Sequence, residues 1–175
     1  MRRKTLSVKI GKVFIGSDHS IKTQSMTTAS TMDTNKSVNE AIRIIQAGGK
    51  LVRFTAPNIN EAKNLLNIKD ALVAKGYDDP LVADIHFTPN AALEASKIVE
   101  KVRINPGNYV DKKKFEVKEY DEKSYQDELL KIEEKFIPLI NSCKKNNVAM
   151  RIGTNHGSLS DRVMNRFGDT PLGMV

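Results

Sequence analysis

The sequence predicts an α/β fold of the (β/α)8 TIM-barrel type, with about the first five βα units present behind an N-terminal β-hairpin. Three observations predict it. Five short apolar strands alternate with segments of helical period, and each connection is long enough for a right-handed crossover between parallel strands. No glycine-rich fingerprint follows the first of these strands, which removes the main signature of a nucleotide-binding doubly wound sheet. Polar residues recur at the ends of the strands, where barrels build their sites. A complete barrel typically takes about 250 residues, so a chain of 175 is expected to be an incomplete one.

The elements follow in order. Leu6 to Ile15 alternates around Gly11 and reads as a hairpin. Ile21 to Met26 is a short strand running into the hydroxyl-rich loop Thr27 to Thr34, where Gln24 and Ser25 serve either a ligand or the loop backbone. A helix over about Asn35 to Ala47 carries Val38, Ala41, Ile42 and Ile45 on one stripe and stops at Gly48-Gly49. Lys50 to Ala56 is the second strand, closed by Pro57. The helix from about Asn60 to Lys75 presents Ala62, Leu65, Leu66, Leu72 and Val73 for packing. Pro80 to Phe87 is the third strand, and Thr88-Pro89 starts the next helix as N-cap and first helical residue. In Lys101 to Asn108, Val102 and Ile104 face one apolar layer, and Pro106-Gly107 ends the fourth strand. The charged stretch over about 109–134 reads as an insertion; Phe136 to Cys143 supplies an apolar stripe, with a kink or helix start at Pro138. Val148 to Gly153 is the fifth strand, followed by a helix from Ser158 to about Phe167 and a further start at Thr170-Pro171.

Composition excludes several classes. At 39% hydrophobic content the chain can bury a sizeable core, and no apolar run approaches the roughly 20 residues that span a bilayer. No apolar signal core follows the basic N-terminus, so the cytoplasm is the expected compartment. Cys143 is the only cysteine, which leaves no disulfide framework and no thiolate set for a metal or cluster within this chain. The net charge of +7 invites a nucleic-acid partner, but the lysines fall in mixed-charge stretches, aromatic content is 6%, and no RNA-binding signature or zinc finger appears. Neither a nucleic-acid nor a membrane partner is expected.

The chemistry lies at the strand ends: Arg53, Asp84, His86, Arg103, Asn105, Arg151 and Asn155. Asp84 and His86 alternate, so both point to one face. A buried arginine without an anionic partner is costly. Three arginines against one interior carboxylate leave an excess of positive charge that a bound polyanion would neutralise. Charge-assisted hydrogen bonds to phosphate contribute about 1.5 to 3 kcal/mol each, enough for three forks to fix a diphosphate. The residues therefore read as a site for a diphosphate-bearing small molecule.

The pieces Gln24-Ser25-Met26-Thr27, Leu81 to Phe87, Arg103-Ile104-Asn105-Pro106-Gly107-Asn108 and Arg151 to Leu159, in this order, resemble the amino-terminal barrel of the 4-hydroxy-3-methylbut-2-enyl diphosphate synthases. The resemblance covers nearly the whole chain. The charged insertion and the run Asn155 to Arg162 resemble the longer, three-domain form found in plastids and some bacteria, and the lack of a transit peptide favours a bacterial cytoplasm.

This resemblance implies a step of the non-mevalonate isoprenoid pathway. The family reductively opens 2-C-methyl-D-erythritol 2,4-cyclodiphosphate with electrons from ferredoxin or flavodoxin, through a 4Fe-4S cluster held in a carboxy-terminal domain that this chain lacks. Carried over by motif position, Arg53, Arg103 and Arg151 would clamp phosphates and Asn105 and Asn155 would hydrogen-bond phosphate or hydroxyl groups. Asp84 and His86 would be catalytic, orienting the carbon skeleton and assisting proton delivery. No residue of this chain is expected to ligate metal. The chain alone is expected to be inactive and, with open sheet edges, to self-associate. Two rivals are a dihydropteroate-synthase-like barrel transferase, whose own motifs are not found, and a non-catalytic phosphate-binding module.

Overall fold

The computed structural model describes residues 3–86, 88–105, 109–110, 120–153, 159–168 and 170–174. Strands β1 (Val8–Ile10) and β2 (Val13–Ile15) form the expected antiparallel hairpin. Strands β3 (Gln24–Met26), β4 (Leu51–Thr55), β5 (Leu81–Ile85), β6 (Lys101–Ile104) and β7 (Ala149–Ile152) form one parallel sheet in the order β3-β4-β5-β6-β7. Every neighbour in the sheet is the next strand in sequence. The order never reverses, as it would at the switch point of a doubly wound sheet, so the sheet is wound one way, as in a barrel.

Helices α1 (Thr34–Gln46), α2 (Ile59–Ala74), α3 (Pro89–Ala95), α4 (Glu122–Asn146), α5 (Asp161–Phe167) and α6 (Pro171–Met174) separate and follow the strands. Their starts are written locally. Asp33, Asn58, Asp121 and Ser160 each accept a backbone N–H of the first turn, satisfying donors that have no partner within the helix. Thr88 sits at the N-cap position of α3 but makes no cap bond; its Oγ1 donates to the Pro57 carbonyl at 2.8 Å and ties two rim loops together.

Alternation along the strands divides the sheet into two faces. Val52, Phe54, Leu81, Ala83, Ile85, Val102 and Ile104 face outward into one core with Val38, Ala41, Leu65, Ile68, Leu72 and Leu139 of the helices. Leu51 and Val82 face inward, where Ile10 of the hairpin closes on them together with Ala149 and Ile15. The hairpin thus fills the floor of the inner face. Its turn needs Gly11: φ is +55°, and a Cβ there would come within 2.8 Å of Glu100 Cγ.

Two packing expectations change. Leu66 and Val73 stand 48% and 56% exposed, because the buried stripe of α2 runs through Ala62, Leu65, Ile68 and Leu72, and a helix of 3.6 residues per turn carries Leu66 and Val73 off that stripe. Residues 122–134, read as part of the charged insertion, belong to α4, which also continues through Pro138. Among the described residues no helix is long and apolar enough to cross a membrane.

Cys143 is buried in the outer core, and that burial pushes its thiol up to about 11. Alkylation by iodoacetamide at neutral pH is therefore expected to proceed only as fast as the protein unfolds. Labelling at the rate of an open thiol in the native protein would show that α4 does not cover this face.

Candidate functional site on the inner face

Strand register builds the site. Arg53 stands opposite Met26 and Val82, Lys101 opposite Val82 and Ala149, and one row further on Asp84 stands between Thr55 and Arg103, with Arg151 beyond Arg103. All of these positions share the inward parity of Leu51 and Val82. Continuing the alternation brings His86 and Asn105 to the next level, just past the strand ends. Backbone bonds carry the sheet order into that rim: Thr27 N–H donates to Arg53 O at 2.9 Å, Ala56 to Asp84 O at 2.9 Å, and Gly153 to Ile104 O at 2.8 Å.

Asp84 is the hub. Only 2% exposed, it accepts Arg53 Nε on Oδ2 at 2.9 Å, with Arg53 Nη2 on the same oxygen, and Arg103 Nη1 on Oδ1 at 2.9 Å. His86 Nε2 lies 3.2 Å from Asp84 Oδ2 and 3.0 Å from Arg103 Nη1. One imidazole tautomer donates to the carboxylate and the other accepts from the guanidinium, so a single ring nitrogen has two mutually exclusive roles. Burial by itself pushes the Asp84 carboxyl up, but hydrogen bonds from Arg53, His86 and Arg103 outweigh it and hold the group below the usual carboxylate value.

The other expected residues are placed as follows. Asn105 is buried at the rim beside this cluster, and its carbonyl accepts Tyr109 N–H at 2.9 Å. Arg151 pairs in register with Arg103, is exposed, and has no carboxylate partner among the described residues. Asn155 lies outside the described residues. Gln24 takes the inward parity of Leu51, whereas Ser25 pairs with Val52 on the helix side. The cluster therefore joins Arg53, Asp84, His86 and Arg103 directly, with Asn105 and Arg151 at its border.

Three residues escaped the sequence reading. Lys101 belongs to the same inward row as Arg53, a fact that the Lys-x-Arg-x-Asn alternation of residues 101–105 contains. Glu40 of α1 reaches under the first rim loop, where Oε2 accepts the N–H groups of Thr28 and Ala29 at 2.7 and 3.0 Å and Oε1 accepts Thr28 Oγ1 at 2.9 Å. Gly153 leaves the space that the Arg103 guanidinium occupies: a Cβ there would lie 2.8 Å from Nη2 and 2.9 Å from Cζ, and closer still to Nε. Nothing in the local sequence pointed to these last two, because each acts on a group far away in the chain.

A carboxylate bridging two arginines lies on the inner face of a singly wound parallel sheet. The model of the GcpE TIM-barrel domain matches residues 5–175. The chain belongs to the GcpE TIM-barrel family. A relative from Akkermansia muciniphila, named 4-hydroxy-3-methylbut-2-en-1-yl diphosphate synthase (flavodoxin), is 55% identical over 174 residues, which cover 99% of this chain and 30% of the relative. Relatives of the same name from Bacteroides thetaiotaomicron and Chlamydia abortus are 53% and 55% identical over 175 residues, 99% of this chain and 28% and 29% of theirs. The chain thus spans less than a third of the length of these curated relatives.

Two outcomes follow from this geometry. Asp84→Asn is expected to destabilise the protein by about 3–5 kcal/mol at neutral pH, the range for breaking a buried ion pair. Because the folded carboxyl titrates below its ordinary value of about 3.9, the stability it contributes is present above that value and is lost as pH falls through the folded one. Urea unfolding of both proteins should therefore converge in acid; a gap independent of pH would mean that Asp84 is not ionised in the folded state. Gly153→Ala is expected to cost about 1–3 kcal/mol by displacing Arg103 and to be nearly neutral in an Arg103→Met background. Additive losses in that cycle would separate Gly153 from Arg103.

Proposed function

We propose that this chain is the substrate-binding barrel portion of a 4-hydroxy-3-methylbut-2-enyl diphosphate synthase, an oxidoreductase that converts 2-C-methyl-D-erythritol 2,4-cyclodiphosphate to 4-hydroxy-3-methylbut-2-enyl diphosphate. The observation that carries the reading is the inner face itself: Arg53, Lys101, Arg103 and Arg151 take inward positions there, and Asp84, paired with Arg53 and Arg103 alone, is the one carboxylate among the described residues of those inward rows. Membership of the GcpE TIM-barrel family and the shared name of the relatives support the choice of substrate. The word flavodoxin in those names favours flavodoxin over ferredoxin as the electron donor. The bacterial relatives favour a bacterial cytoplasm as the compartment.

In this reading Asp84 holds two guanidinium groups side by side against their mutual repulsion and fixes their planes before the ligand arrives. Arg53 Nη1 and Arg103 Nε and Nη2 donate to no protein acceptor among the described residues, and with Arg151 they are the donors left for phosphate oxygens. Asn105 and Asn155 would add neutral hydrogen bonds to phosphate or hydroxyl. His86, poised between Asp84 and Arg103, is the candidate to hold or pass a proton at Nε2, with Asp84 setting its orientation.

The 4Fe-4S cluster implied by the family does not fit the residues present. Cys143 is the only thiol, it is buried in the outer core with its proton held firmly, and the described residues contain no group of three metal-ligating side chains. This chain is therefore expected to bind substrate without turning it over.

Calorimetric titration with the cyclic diphosphate tests the reading. Saturable binding, weakened at least tenfold by Arg103→Met and stronger than for inorganic pyrophosphate, is expected. Binding that follows ionic strength alone and does not distinguish the two would instead favour a phosphate-binding module. In an assembled enzyme, Asp84→Asn should lower turnover; unchanged turnover would remove Asp84 from the chemistry. Strands β3 and β7 end the described sheet, with Met26 and Ile152 exposed along them. Sedimentation is accordingly expected to show concentration-dependent self-association, and a single monomeric species at all concentrations would refute it.

A further inference from the structure

Lys101 opens β6 and points inward, yet it is only 6% exposed. Its register neighbours, Val82 and Ala149, are apolar, and the hairpin offers the apolar Ile10 from below. It makes no hydrogen bond and no ion pair with any described residue. The charged and titratable groups on its face are Arg53 from β4, Asp84 from β5 with His86 just past its end, Arg103 from its own strand and Arg151 from β7. Asp84, the single carboxylate among them, is already bound to both Arg53 and Arg103.

A buried amine in such a place is expensive, and Met or Leu would fill the same volume without the cost of desolvating a charge. Something must repay the amine when the protein works. Arg53 shows how far the repayment can reach: it starts from the same row as Lys101, and its guanidinium spans to Asp84 in the row above. A lysine from that row has comparable length. We infer that Lys101 is a further ligand for the polyanion bound on this face, and that anion binding and proton uptake from solvent are linked through it. The inference rests on the anion-binding reading above and deepens it.

The direction of the proton follows from the surroundings. Burial, then the neighbouring charges of Arg151 and Arg53, lowers the proton affinity of the free amine below that of an ordinary lysine. An anion carrying two or more negative charges reverses the local field and favours the ammonium form. Binding and protonation are therefore linked, and affinity falls as pH rises through the titration range of the free amine.

Inorganic pyrophosphate is the probe, titrated calorimetrically into this chain at mildly alkaline pH in two buffers of different ionisation enthalpy. The ligand's own protonation appears equally in every protein variant, so the difference between variants isolates the lysine. The wild-type chain is expected to take up a larger fraction of a proton per ligand than Lys101→Met, which should also bind about tenfold more weakly. Lys101→Arg, permanently charged, is expected to keep the affinity and lose the extra proton, a combination that a folding defect cannot produce. Equal affinity and equal proton uptake in wild type and Lys101→Met would overturn the assignment while leaving the anion site intact, provided Arg103→Met still weakens binding. Absence of pyrophosphate binding to the wild-type chain, or binding untouched by Arg103→Met, would overturn both.

Discussion

The inner face depends on one carboxylate sharing two guanidinium groups. Without Asp84, Arg53 and Arg103 would face each other as like charges in a space walled by apolar residues, where screening by water is weak. With it, three side chains from three consecutive strands are joined by hydrogen bonds. The strand register supplies the precondition, since Asp84 lies directly across from Arg103 and one pair along from the row of Arg53. A slip of one residue in either pairing would turn one partner out into the helix layer.

The same alternation that sorts charges inward sorts the core outward. The outer surface of the sheet and the stripes of α1 to α4 make one continuous apolar layer, while the hairpin serves a small separate one beneath the charged rows. This division places four cations on the inner rows above the small apolar cluster of Ile10, Leu51 and Val82, with Arg53 and Arg103 held by Asp84. The main apolar core and the charged rows occupy opposite sides of the same strands.

Most of this architecture was legible in the sequence because it rests on local signals. Period-two and period-3.6 patterns located β4 to β7 and α1 to α3, and the Thr88-Pro89 pair marked the start of α3. Asp84, His86 and Arg103 stood out because polar residues inside apolar strands are rare. The relations between distant residues were not legible. That Asp84 neutralises both arginines, that Gly153 makes room for Arg103, and that Glu40 serves a loop eleven or twelve residues away depend on which strands become neighbours and how far side chains reach. Leu66 and Val73 were misjudged for a related reason: hydrophobicity alone does not say which of two adjacent stripes of α2 meets the sheet.

The Glu40 contact makes the first rim loop part of the rigid frame around the inner face. By engaging the amides of Thr28 and Ala29 and the Thr28 hydroxyl at once, it fastens the first rim loop to the body of α1, and Thr31 Oγ1 adds a second tether to Thr55 O at 2.6 Å. A loop nailed down at both ends is a wall and not a lid. The backbone of Thr28 and Ala29 is thereby held at a fixed distance from α1.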